Sequence, residues 1–138
     1  MTIAGALAVA LGGALGAVLR YLADLWTLHR WGPGWPISTL SVNVVGSAVL
    51  GLLTGLSLQG GLAEGWSLLL GVGFCGALTT FSGFTLQVWD LADPGRASSR
   101  KAAAPAPPRQ WSWRGPAYLG VSLGAGLLAA LIPMAILR

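Results

Sequence analysis

The stretch WSLLLGVGFCGALTTFSGFTLQVW (66–89) carries no charged residue. It is longer than the roughly 20 residues a helix needs to cross a hydrocarbon core. It is also poorly suited to remaining one unbroken helix. Gly71, Gly73 and Gly76 weaken its first half. Thr79, Thr80, Ser82 and Thr85 then bring four hydroxyls. The reading is a membrane-spanning helix broken near its middle. Such a break frees backbone carbonyls at mid-membrane depth, where protein, water or an ion must satisfy them. A hard cation such as sodium suits a ring of carbonyls; a tightly packed helix without an ion fits the same glycines.

Three similar stretches lie outward from this one. Spans are predicted at about 3–25, 39–58, 66–89 and 115–137, giving an all-α membrane protein with one four-span domain over residues 1–138. The composition agrees: hydrophobic residues make up 54%, charged residues 9%, and the mean hydropathy is +0.71. Eight basic and four acidic side chains cannot cover the surface of a soluble domain this small. The apolar content also excludes a disordered chain. A single cysteine, Cys75, leaves no internal disulfide framework, and a lone His29 leaves no histidine metal centre. A cleaved signal peptide is not expected in residues 1–20, which have no basic start and are followed by further spans. The expected surroundings are a lipid bilayer, with no nucleic-acid partner.

The connections read as turns or loops. Residues 30–38 contain two prolines and two glycines, and residues 59–65 hold the only glutamate, Glu64. Residues 91–114 form a long basic loop whose core AAAPAPP (102–108) is expected to be extended. All seven tryptophans, Trp26, Trp31, Trp35, Trp66, Trp89, Trp111 and Trp113, fall at span ends or in loops, as interfacial rings do. Phe74, Phe81 and Phe84 instead lie inside the third span.

The acids Asp24, Glu64, Asp90 and Asp93 all lie at span ends or in loops. Proton-coupled export needs a carboxylate within the membrane, so a small multidrug exporter is disfavoured, and no catalytic constellation is present. Uncharged polar chemistry remains. Thr39, Asn43 and Ser47 repeat every fourth residue, and Gly51 and Gly55 extend the stripe. Two readings fit: a close helix–helix contact, or a polar track on which the Asn43 amide donates to a small dehydrated anion. Phe81 and Phe84 share a face if the helix persists, and their positive ring edges suit an anion as well as they suit packing. Gly12 and Gly16 form a small-xxx-small contact. Arg20 is either a snorkelling arginine or a charge that draws anions into a vestibule, and Asp24 lies one turn on as a possible partner. Cys75 reads as an inert packing residue and His29 as a solvated loop residue.

Three segments together resemble the CrcB/Fluc family of fluoride channels. GGALGAVLRY (12–21) is close to the family's glycine-rich segment ending in arginine and an aromatic. PISTLSVNVVG (36–46) is similar to its P-x-G-T-L-x-x-N-x-x-G. GFCGALTTFSGF (73–84) is similar to its G-F-C-G-G-L-T-T-F-S-T-F. The resemblance implies an antiparallel, dual-topology dimer of four-span subunits in the cell membrane that passes fluoride out of the cytoplasm passively. It implies that Asn43 donates to fluoride and that Phe81 and Phe84 line the pathway; Thr39, Ser47, Thr80, Ser82 and Ser122 are read as the hydroxyls of that pathway, with Arg20 in its vestibule. It further implies a structural sodium ion held by the backbone carbonyls of Gly76 and Thr79. Ser38 and Gly83 depart from the pattern, standing where the family has glycine and threonine. Beside this reading stands a non-conducting membrane subunit in which TTFSGF serves packing alone.

Charge predicts orientation. Arg30, Arg96, Arg100, Lys101, Arg109 and Arg114, with Arg20 near their edge, collect on the side of the first and third loops. Arg138 stands alone on the other. Lysine and arginine favour the cytoplasm, so both termini are expected outside and residues 91–114 inside. Such a bias suits a subunit of fixed orientation paired with an oppositely biased relative; the alternative is a dual-topology homodimer.

Overall fold

A computed structural model describes residues 2–32, 36–105, 108 and 111–137. Every regular element among them is helical: α1 (Ile3–Trp31), α2 (Ile37–Leu58), α3 (Glu64–Trp66), a π-helical segment (Ser67–Cys75), α4 (Gly76–Leu78), α5 (Phe81–Ala92), α6 (Pro94–Lys101) and α7 (Arg114–Ile136). Four stretches are long and apolar enough to cross a membrane: Ile3–Trp31, Ile37–Leu58, Glu64–Ala92 and Arg114–Ile136. The protein is a multi-pass membrane protein. Its third span is broken after Leu78, close to the expected place.

Several boundaries differ from the sequence reading. α1 runs on to Trp31, so His29 lies in its last turn. Thr2 caps its start by accepting from the Gly5 N–H at 3.1 Å. Glu64 opens a helix instead of sitting in a loop. Residues 91–114 are not all loop. Asp93 caps α6 by accepting from the Arg96 N–H, and Pro94 takes the first turn, where no helical donor is needed. Trp35, Arg109, Arg138 and Ala106–Pro107 of the AAAPAPP core lie outside the described residues.

The chain forms two compact units, Met1–Thr80 with Ala125–Arg138, and Phe81–Gly124. In the first, α1 lies against the π-helical segment at a separation that only glycine allows. A methyl group on Gly12 would overlap the Leu69 carbonyl, and one on Gly16 the Phe74 carbonyl. One on Gly73 would sit 2.6 Å from the Val9 carbonyl oxygen. The small-residue contact expected of Gly12 and Gly16 is thus made. Gly51 likewise meets the Ala130 backbone and Gly55 meets Leu137, joining α2 to the end of α7. Side chains at these contacts would hold the helices apart and forfeit the dispersion contacts that pack helices in lipid. In the second unit, Gly115 lies against Ala92 and the Val88 carbonyl. The Ser112 N–H donates to the Ala92 carbonyl at 2.8 Å.

Candidate functional site

The break is built from backbone outward. The last regular turn closes on Cys75, whose carbonyl accepts from both the Thr79 N–H (3.0 Å) and Thr79 Oγ1 (2.9 Å). Thr79 is then extended, with ψ at 153°. In a continuous helix the Thr80 N–H would donate to the Gly76 carbonyl. Here it donates to Asn43 Oδ1 at 2.8 Å, while Asn43 Nδ2 donates to the Thr80 carbonyl at 3.2 Å. The Oδ1 bond therefore replaces the acceptor that the Thr80 N–H loses at the break, and the Nδ2 bond adds a second tie to the same residue. One N–H of Nδ2 has no acceptor among the described residues.

Arg20 reaches the same place from α1. Its Nη1 donates to the Thr79 carbonyl at 3.3 Å. The Arg20–Asp24 pair allowed by their spacing does not form. Asp24 Oδ1 accepts instead from Ser38 Oγ at 2.5 Å, tying α1 to the start of α2. Ser38, where the family has glycine, therefore carries an interhelical bond of its own. Nothing in the sequence marks Thr79 and Ser38 as the partners of Arg20 and Asp24, because both bonds depend on helix packing. The other residues of the α2 stripe lie in the same unit. Thr39 is buried, and Ser47 faces Gly126, where a methyl would stand 3.6 Å from the hydroxyl in ordinary contact. The stripe serves a helix contact and keeps its polar groups on that face.

In the unit Phe81–Gly124 the aromatic residues form a chain of rings. Phe81 and Phe84 stand 6.0 Å apart at 49°, and Phe84 and Tyr118 stand 5.8 Å apart at 43°. Phe84 is 4% exposed and Phe81 76%, so helical spacing does not give them one environment. Tyr118 Oη donates to Gln87 Oε1 at 2.9 Å; Gln87 was not anticipated, although an amide inside an apolar span needs a partner. One turn beyond Tyr118, the Ser122 hydroxyl approaches the phenol. It is buried and completes no hydrogen bond of normal geometry. Ser82 is exposed, and its carbonyl accepts from Thr85 Oγ1 at 3.0 Å.

Polar side chains from two helices that close a break inside a third define a class: a small multi-pass membrane protein in which an amide and a guanidinium bind the broken backbone. The family follows from comparison. A model described as CrcB-like protein, Camphor Resistance (CrcB), matches residues 7–134, and the chain belongs to that family. A Rhizobium etli protein named fluoride-specific ion channel FluC is 37% identical over 134 residues, covering 96% of this chain and 95% of its own. A Rhizobium meliloti protein of the same name is 38% identical over 133 residues, covering 96% and 94%. An Erythrobacter litoralis protein, again so named, is 43% identical over 99 residues, covering 64% and 69%.

Proposed function

We propose that this chain is a passive, fluoride-selective channel, not an enzyme, that lets fluoride leave the cytoplasm across the inner (plasma) membrane and so relieves its toxicity. Beside family membership, the observation that carries the reading is the Asn43 amide. It is tied to the break by two bonds and keeps one N–H uncommitted. A fixed donor in a dry site offers a small anion what water otherwise supplies. Phe81 and Phe84 contribute positive ring edges. Thr39, Ser47, Thr80, Ser82 and Ser122 contribute hydroxyls, and Ser122 is buried. The positive charge of Arg20 draws anions to the entrance. The working unit is an antiparallel dimer with a second subunit, and the four spans form one membrane domain.

A structural sodium ion on the Gly76 and Thr79 carbonyls belongs to the same proposal, and the two groups fit it unequally. The Gly76 carbonyl loses its helical donor, because the Thr80 N–H turns to Asn43. The Thr79 carbonyl keeps only one lone pair, since the Arg20 guanidinium uses the other. Sodium would hold two subunits together by drawing such carbonyls to one point.

The test is efflux from liposomes holding the purified protein. Rapid fluoride efflux with little chloride efflux is expected. No fluoride flux, alone or with an added related subunit, would remove the channel reading. Prolonged exchange of sodium for a bulky organic cation is expected to weaken assembly or flux; indifference to it would remove the ion.

A further inference from the structure

We propose that Arg20 is the positioning residue of the break in the third span, and that it acts through its hydrogen bond to the Thr79 carbonyl and not through its charge alone. The inference deepens the channel reading above and rests on it. The Thr79 carbonyl and the Thr80 N–H belong to one peptide group. Arg20 Nη1 holds its oxygen at 3.3 Å, and Asn43 Oδ1 holds its N–H at 2.8 Å. Two helices, α1 and α2, therefore grip opposite edges of the single peptide plane at which the helix fails. Rotation of that plane would break both bonds at once, and in a bilayer neither group would find water.

The placement of Arg20 is built in. Gly16 lies one turn earlier on the same face of α1. A methyl there would stand 3.0 Å from the Leu78 nitrogen, next to the break. Close approach at Gly16 brings the following turn, and Arg20 with it, onto Thr79. Among the described residues no carboxylate forms a salt bridge with Arg20, since Asp24 is bound to Ser38. The guanidinium is free to serve the carbonyl. A snorkelling arginine would turn toward the aqueous end; this one turns to the broken backbone.

Cys75 supplies a native probe. It is the only cysteine, it is 2% exposed, and its carbonyl anchors Thr79 by two bonds. The experiment follows labelling of Cys75 by N-ethylmaleimide in the full-length reconstituted protein without fluoride. The native protein should label slowly. Arg20→Met should label about tenfold faster or more, as expected when a hydrogen bond to a charged group no longer opposes local opening. Arg20→Gln inserts as a polar residue but is too short to reach Thr79, and it carries the same expectation should Arg20→Met fail to fold. Arg20→Lys, which keeps a charged donor, should restore much of the protection. Labelling of Arg20→Met and Arg20→Gln at or below the native rate would overturn the proposal. Absence of fluoride efflux from the native protein would defeat the channel reading but would leave the labelling outcome unchanged.

Discussion

Asn43 commits both ends of its amide to Thr80, so it cannot be exchanged for its closest isostere. In Asn43→Asp an ionised carboxylate can still accept the Thr80 N–H, but it faces the Thr80 carbonyl without a donor and repels an anion. Fluoride flux should be abolished, with a stability loss of about 1–3 kcal/mol from the lost amide bond and the carboxylate placed against the carbonyl. Native flux in this variant would show that the pathway runs elsewhere. The two phenylalanines should separate stability from conduction. Phe84→Ile removes a buried ring packed on Tyr118 and should lose at least the ~0.5–1.5 kcal/mol of the ring pair. Phe81→Ile changes an exposed side chain and should stay within ~0.5 kcal/mol of the native protein. Both should reduce flux, and thermal unfolding beside efflux assays checks the pair. The candidates themselves were legible because an amide, a hydroxyl or an arginine within an apolar run stands out. Their partners were not. Asn43 with Thr80 and Arg20 with Thr79 join residues 37 and 59 positions apart, and only packing brings such residues together.

At the scale of elements, the contact between α1 and the π-helical segment predicts opposite outcomes at adjacent glycines. Gly12→Ala would drive a methyl into the Leu69 carbonyl, whereas a methyl on Gly13 meets nothing within 4 Å. Overpacking at Gly12 should destabilise by about 1–3 kcal/mol, because backbone atoms cannot swing aside as a side chain can. Gly13→Ala should be neutral or stabilising by up to ~1 kcal/mol, since alanine favours a helix over glycine. Thermal unfolding of the two variants in the same detergent provides the comparison; equal behaviour would mean that the helices are not packed this closely. The four spans were legible because length and lack of charge suffice to mark them. The break was legible from glycines followed by hydroxyls. The π-helical geometry of Ser67–Cys75 has no compositional mark. α6 was missed although its start was written plainly: Asp93 followed by Pro94 is a helix N-terminus, and the alanine and proline run after it drew the whole segment into a loop reading.

At the scale of the whole molecule, α6 changes what the basic segment is but not its count. Arg100 pairs with Asp90 at 2.5 Å and Arg96 with Asp93 at 3.4 Å, so much of its charge is locally balanced. Orientation follows lysine and arginine near span ends, and acids contribute little to it. The neutralised pairs therefore still count. An ordered helix directly after Ala92 also holds Arg96, Arg100 and Lys101 close to the end of the third span, which strengthens their vote over that of the same residues in a slack loop. The chain should insert with the segment 91–114 in the cytoplasm and both termini outside, and a single orientation cannot supply both members of an antiparallel pair. On the antiparallel-dimer proposal it is therefore expected to pair with a related subunit of opposite bias. Reporters fused after Arg138 decide the matter: periplasmic activity alone is expected, with fluoride flux appearing only when the second subunit is added. Comparable activity on both sides, together with flux from the single purified chain, would instead establish a dual-topology homodimer.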